Sequence, residues 1–292
     1  MALRIATRGS KLALTQAGMV AEMLGGAELV EVSSDGEPGD KSRFVRAVEA
    51  ALLDGRAEIG VHSAKDLPGE EVDGLEIAAV PPREDPADAW IGAGTSLEDA
   101  PEGARVGTVS LRRRAQLLAA RPDLRVLDLN GNVDTRLRKL AEGDYDAIIL
   151  ASAGLRRLGR AGEIGFRVPE DRMVPAAGQG ALAIQVRSGD EETAAAVRAI
   201  GDPAAFAELR AERACFTRLD ADCSTPIGVH AKVSGDVLRI GAFVGLPDGA
   251  EWIRDELEAD AADPEAVGTE LARRLLGAGA AELLARAAER AS

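Results

Sequence analysis

Short apolar runs alternate with amphipathic stretches along the first two-thirds of the chain. Residues 2–6 (ALRIA) predict a strand, and Ser10 is placed to cap an amphipathic helix from Leu12 to Leu24, so the chain opens as strand, polar turn, helix. The pattern returns at Leu29–Val32, Ile59–Val61, Arg105–Thr108, Val126–Leu129 and Ala147–Leu150, several of which lead through Gly, Ser or Asn into helical segments. Strands alternating with helices predict a mostly parallel sheet covered on both faces. Two polar, Pro-rich stretches interrupt the alternation: Pro81-Pro82 with Glu84-Asp85-Pro86, and Val168-Pro169-Glu170-Asp171. Both are expected inter-domain crossings.

After Asp202-Pro203 the pattern changes. A helix from about Ala204 to Leu219 precedes three antiparallel-looking runs, Val229–Val233, Leu238–Val244 and Trp252–Leu257, with turns at Ser234-Gly235-Asp236 and Pro247-Asp248-Gly249. Two Ala/Leu-rich helices follow, and the whole reads as a separate, smaller α+β domain. No internal sequence repeat is visible, and the Ala-rich stretch Ala278–Ala291 is ordinary helix composition.

At 292 residues, 46% hydrophobic and 29% charged, the chain is long enough for two or three domains. Its formal charge of −14 argues against a broad electrostatic grip on nucleic acid or an anionic membrane. Two cysteines exclude a disulfide framework and two histidines leave little for a zinc site. Arg4 and Arg8 break any apolar leader segment, and no run approaches the roughly 20 apolar residues of a membrane span. A cytoplasmic protein is expected, and nothing demands more than a monomer.

In open α/β sheets ligands collect beyond the carboxyl ends of the strands. Those places are occupied here by Thr7-Arg8-Gly9-Ser10-Lys11, His62-Ser63-Ala64-Lys65-Asp66, Thr108-Val109-Ser110-Leu111-Arg112-Arg113-Arg114, Asn130-Gly131-Asn132 with Arg136, and Ser152-Ala153-Gly154-Leu155-Arg156-Arg157. Each junction joins hydroxyl or amide groups to Arg or Lys. Helix dipoles favour acidic residues at N-termini, so basic ones at all five junctions of an acidic chain point to a cleft for a polyanion bearing carboxylates or phosphates.

Other chemistries are weakly supported. Gly36–Ser42 lacks the spacing of a phosphate loop, no G-x-G-x-x-G follows a strand, and no histidine pairs with Ser or Cys in a hydrolase-like motif. Asp66 is either a turn cap before Pro68 or an ionised carboxylate able to stabilise positive charge on a substrate. Cys223 lies in a turn-forming setting with acidic neighbours and is either an incidental thiol or a functional one; Cys215, within the helix, is expected in the core.

Taken in order, Arg4-Ile5-Ala6-Thr7-Arg8-Gly9-Ser10, His62-Ser63-Ala64-Lys65-Asp66-Leu67-Pro68, Gly107-Thr108-Val109-Ser110-Leu111-Arg112-Arg113, Gly131-Asn132-Val133 with Thr135-Arg136-Leu137, Tyr145–Ala151 with Ala153-Gly154-Leu155, Pro175–Ala181, and Cys223 before Pro226-Ile227-Gly228 closely resemble the porphobilinogen deaminase (hydroxymethylbilane synthase) family. The resemblance spans nearly the whole chain. It implies an α/β fold: two α/β domains similar to type II periplasmic binding proteins, 1–82 with 181–199 and 87–174, plus a smaller α+β domain, 203–292. It further implies a dipyrromethane cofactor held as a thioether by Cys223, onto which four porphobilinogen molecules are joined head to tail with loss of ammonia before hydroxymethylbilane is hydrolysed off.

By the same resemblance Asp66 is the catalytic carboxylate. The carboxylate arms of cofactor and substrate would be bound by Arg8, Ser10, Lys41, Ser63, Lys65, Thr108, Ser110, Arg112, Arg113, Asn132, Arg136, Arg157 and Gln179. The chain departs from the family pattern at Asn130, where Arg is usual, at Val109, where a hydroxyl is usual, and at Ala221-Asp222, which replace a Gly pair. The Val32–Phe44 segment is also shorter, although Lys41 and Phe44 match. These departures motivate an alternative, a two-lobed binding protein for carboxylate-rich small molecules that has lost catalysis. An acidic interaction protein using the Glu251–Glu265 region has only its charge behind it.

Overall fold

A computed structural model describes residues 3–33, 42–222 and 225–291. Strand β1 (Arg4–Arg8) buries its three central residues, and Ser10 then caps α1 (Lys11–Met23) by accepting from the Ala13 amide. That helix buries Gln16, Ala17, Val20 and Ala21, a stripe one turn apart, and its apolar part packs on Ile5, Ile59 and Ile184 of the sheet. Next come β2 (Glu28–Val32), α2 (Ser42–Leu53), β3 (Ile59–Ser63) and β4 (Leu75–Ala79). The chain then crosses to a second lobe. It contains β5 (Asp88–Gly92), β6 (Arg105–Gly107), α3 (Leu111–Ala120), β7 (Arg125–Leu127), α4 (Val133–Ala141), β8 (Ala147–Ala151), α5 (Ser152–Arg157) and β9 (Phe166–Val168). A second crossing returns to the first lobe as β10 (Leu182–Arg187) and α6 (Glu191–Arg198).

The two sheets share one plan. Their orders are β2-β1-β3-β10-β4 and β7-β6-β8-β5-β9, and in each the first three strands are parallel while the fourth runs antiparallel to both neighbours. The odd strand in each sheet is the one that has just arrived from a crossing, so it enters from the opposite end. No sequence repeat announces this correspondence. The first strand starts two residues later than expected, and β4, β5, β9 and β10 have no counterpart among the expected strands.

The third unit begins with α7 (Pro203–Arg218), started by the Asp202 cap and Pro203, and continues through β11 (Ile227–Ser234), β12 (Val237–Gly245) and β13 (Trp252–Asp260) to α8 (Pro264–Gly277) and α9 (Ala280–Ala291). Its antiparallel sheet has the order β11-β12-β13, as the sequence predicts. One face of the sheet forms a core with the helices, including Val229, Ile240, Leu271, Leu275 and Cys215, whose thiol burial pushes up to about 12. On the other side, Phe243 packs with Ala115 and Val174 of the second lobe. Gly249 (φ +72°) sits against the backbone of Leu118 and Ala119, leaving no room for a Cβ. Among the described residues no helix is long and apolar enough to cross a membrane.

Candidate active site

The loops beyond the strand ends of the two lobes meet at the second crossing. β3 ends at Ser63, whose hydroxyl pairs with the Gln16 side-chain amide at 2.9–3.1 Å, and Ala64–Asp66 form one 3-10 turn. Gly178-Gln179-Gly180 lies against that turn. At Gly178 (φ +71°) a Cβ would fall 2.8 Å from the Ala64 carbonyl carbon, and at Gly180 (φ +88°) it would collide with the Glu84 carbonyl. Both positions therefore require glycine, and between them Gln179 is held with its side chain aimed at both lobes.

Lys65 donates from Nζ to Gln179 Oε1 at 3.4 Å, and Gln179 Nε2 donates to Pro86 O at 2.7 Å and Asp88 Oδ1 at 3.0 Å. Asp88 opens β5, is fully buried, and receives Arg112 and Arg113 from the first turn of α3, each at 2.8 Å. Their charges hold its carboxyl well below the usual range against the cost of burial. Arg112 also donates to Val174 O and Arg113 to Ile149 O, so both guanidiniums are fixed in place. Loss of hydration and the charge of Arg113 bring the Lys65 ammonium down from 10.5 to about 8, with Asp66 and Asp88 opposing.

The remaining cations line the same region. Arg8 lies over the Phe44 ring, 3.9 Å from its centroid; burial lowers its pKa while Asp66 raises it. Arg136 donates to Gly131 O at 2.8 Å, and burial together with Arg113 depresses it. Arg157 donates to Gly180 O at 2.7 Å and is brought down to about 10 by burial. Ser10, Ser110 and Asn132 spend their side-chain oxygens on the N-termini of α1, α3 and α4, and Thr108 accepts from the Ser110 amide at 3.2 Å. Asp66 is exposed. Lys41 and Cys223 lie outside the described residues.

Two features escaped the sequence reading. Asp88 ties the arginine pair to Gln179; its only signal is an acidic residue leading an otherwise apolar strand. Arg83, on the first crossing, is buried with Glu212 and Glu208 of α7, and no local pattern marks that triad.

A family model described as "Porphobilinogen deaminase, dipyromethane cofactor binding domain" matches residues 3–195, and "Porphobilinogen deaminase, C-terminal domain" matches residues 206–277. The chain belongs to the porphobilinogen deaminase family. It is similar to the porphobilinogen deaminase of Geobacter metallireducens, with 41% identity across 99% of this chain and 95% of that protein. Against that of Roseiflexus castenholzii the identity is 44%, across 97% and 98%. Among solved structures it is similar to a TRAP periplasmic solute binding protein from Desulfovibrio salexigens (TM-score 0.42, 11% identity, 69% of this chain and 72% of that one). A second is the substrate binding protein of an amino acid ABC transporter (TM-score 0.38, 14% identity, 68% and 91%).

The dipyrromethane of this family carries carboxylate arms, and the site fits such a group. Arg8, Lys65, Arg112, Arg113, Arg136 and Arg157 are cationic, against the carboxylates of Asp66 and Asp88. Among the described residues, the buried Nε atoms of Arg8 and Arg157 have no hydrogen-bond partner, so these donors are open to an anion.

Proposed function

We propose that this chain is a transferase that joins four porphobilinogen molecules head to tail into hydroxymethylbilane, releasing ammonia at each addition. The observation that carries the reading is the surplus of partly desolvated cations at the strand ends, beside one exposed carboxylate, Asp66. The substrate's acetate and propionate arms would be held by Arg8, Lys65, Arg112, Arg113, Arg136 and Arg157, with Lys41, Ser63, Gln179, Thr108 and the capping residues Ser10, Ser110 and Asn132 proposed as further contacts. Cys223 would carry the thioether. When bound, dipyrromethane supplies the terminal pyrrole carbon from which the chain is extended.

At the reacting centre the substrate's carbon–nitrogen bond breaks, the amine leaves as ammonia, and positive charge builds on the pyrrole. Asp66 would oppose that charge, accept the pyrrole N–H, and take part in removing the ring proton after the carbon–carbon bond forms. Lys65 and Arg8 are the cations coupled to Asp66 across this part of the cleft. The fixed pair Arg112–Arg113, held by Asp88, needs no reorganisation as charge develops. We take residues 1–82 with 181–199, 87–174, and 203–292 as the domains, in keeping with the strand membership of the three sheets. A cytoplasmic monomer is the working form we propose.

Two measurements test the reading. The intact mass of protein from a tetrapyrrole-producing host should exceed that of Cys223→Ser by two pyrrole units. Asp66→Asn should keep the fold but lower porphobilinogen consumption by about a hundredfold or more, as removal of a transition-state charge partner does. Near-parental turnover in that variant defeats the role given to Asp66; an unmodified parent that stays unmodified with added porphobilinogen favours the binding-protein alternative.

A further inference from the structure

The backbone carbonyl of Val174, on the second crossing, takes two side-chain donors from α3. Arg112 Nη1 reaches it at 2.8 Å and Gln116 Nε2 at 3.0 Å. The Val174 amide donates in return to Gln116 Oε1 at 2.7 Å, so one buried carboxamide holds both backbone polar groups of one residue. Because that amide can only donate, the Gln116 side chain has one orientation: Oε1 faces Val174 N and Nε2 faces Val174 O. The third unit closes the other side of the carbonyl. Phe243 packs on Val174, Val229 N donates to Pro175 O at 2.9 Å, and a Cβ at Gly228 would stand 2.5 Å from the Val174 oxygen. Arg112 meets Val174 O and Asp88 Oδ2 with the same Nη1, each at 2.8 Å, so where the carbonyl stands decides how the guanidinium is turned.

We propose that Gln116 is a positioning residue for substrate binding: by holding Val174 it sets the direction from which Arg112 grips a carboxylate arm of the pyrrole. The inference rests on the porphobilinogen reading and adds a residue that the strand-end motifs do not contain. Gln116 lies one turn beyond Arg112 on the same face of α3. A neutral amide suits the role. It supplies one donor and one acceptor in fixed directions and adds no charge beside the arginine pair, so it does not compete with the substrate for Arg112. Two-point recognition of a carboxylate depends on the plane of the guanidinium, and a small turn of that plane costs affinity before it costs chemistry. Gln116 therefore acts on binding and leaves bond making to the groups around Asp66.

The test uses the cofactor-loaded protein and a porphobilinogen analogue lacking the aminomethyl leaving group, so that binding is read by calorimetry without turnover. Gln116→Leu keeps the bulk and removes both bonds to Val174. It should weaken the analogue by about tenfold and raise KM for porphobilinogen similarly, with kcat within about threefold. Gln116→Glu keeps an acceptor for the Val174 amide but sets a carboxylate beside the Val174 carbonyl and Arg112. It should bind the analogue more weakly than Gln116→Leu at about pH 8, and the gap should close on acidification as the introduced carboxyl takes up a proton. Leu271→Ala, in the core of the third unit, lowers stability at a distance and should leave both constants parental. Parental dissociation constants in both Gln116 variants, with lowered thermal midpoints, would make Gln116 a packing residue and overturn the proposal; so would a loss confined to kcat. If Gln116→Leu does not fold, Gln116→Glu decides alone, and an affinity whose pH dependence matches the parent's overturns the proposal. A parent that carries two pyrrole units and turns over substrate keeps the broader reading intact in those cases; a parent that neither loads nor binds the analogue overturns both.

Discussion

Lys65 shows how one residue's surroundings set a measurable pH response. Its ammonium gives up its proton near 8 in the folded chain and near 10.5 when unfolded. Between those values the unfolded state holds more protons, so this group's contribution to stability rises with pH across the window. Its contribution to binding moves the other way, because a neutral amine no longer attracts a carboxylate. The expected outcome is a fall in kcat/KM for porphobilinogen above about pH 8 that Lys65→Arg shifts upward, read from full pH–rate profiles. A bound carboxylate raises the ammonium's pKa, so kcat should not share that limb. An unchanged limb in the Arg variant assigns it to another group. Asp88 makes the complementary case. It holds two buried arginines, and Asp88→Asn should cost about 3–5 kcal/mol of unfolding free energy, measured by denaturant titration, because the cations stay buried with less compensation.

Among the elements, those with strong local signals were legible in the sequence. The capped helix after β1, the strands β2, β3, β6, β7 and β8, and the three-stranded meander are each written in a short run with its own turn or cap. β5 and β10 are not, because their places are fixed by pairing across the chain: β10 lies between β3 and β4, more than a hundred residues away in sequence. The site follows the same division. Cationic strand ends are local and were readable, whereas Asp88, Gln16 and the Arg83 triad matter only once the crossings bring distant segments together. Gly178 is where the two kinds of information meet. Its positive φ and its 2.8 Å approach to Ala64 predict that Gly178→Ala displaces the Ala64–Asp66 turn. A loss of kcat/KM of about tenfold or more is expected, with a drop in thermal midpoint too small to unfold the protein at assay temperature. Parental activity would show that the turn tolerates the shift.

At the scale of the molecule the three units are pinned at one buried centre. Arg83, from the first crossing, contacts Glu212 at 2.8 Å and Glu208 at 3.3 Å on α7, and donates to the Gln179 carbonyl of the second crossing. Glu212 also accepts from the Gly178 and Ala231 amides and faces His230 of β11 at 3.1 Å. Both crossings and the third unit therefore close on one carboxylate. Arg83 and His230 pull the Glu212 pKa from 4.5 down to about 2 against a large burial cost. A depressed carboxylate contributes stability that is present above its unfolded value and is lost as pH falls from 4.5 toward 2. Glu212→Gln removes the charge while keeping the size. The variant should be less stable at neutral pH by about 3–5 kcal/mol, since Arg83 stays buried without its main partner. Its denaturation midpoint should also change less than the parent's between pH 4.5 and 2, because the group that titrates there is gone. Chemical denaturation at several pH values reads both effects. A variant as stable as the parent at pH 7, with the same acid dependence, would mean that the centre is held by packing and not by charge.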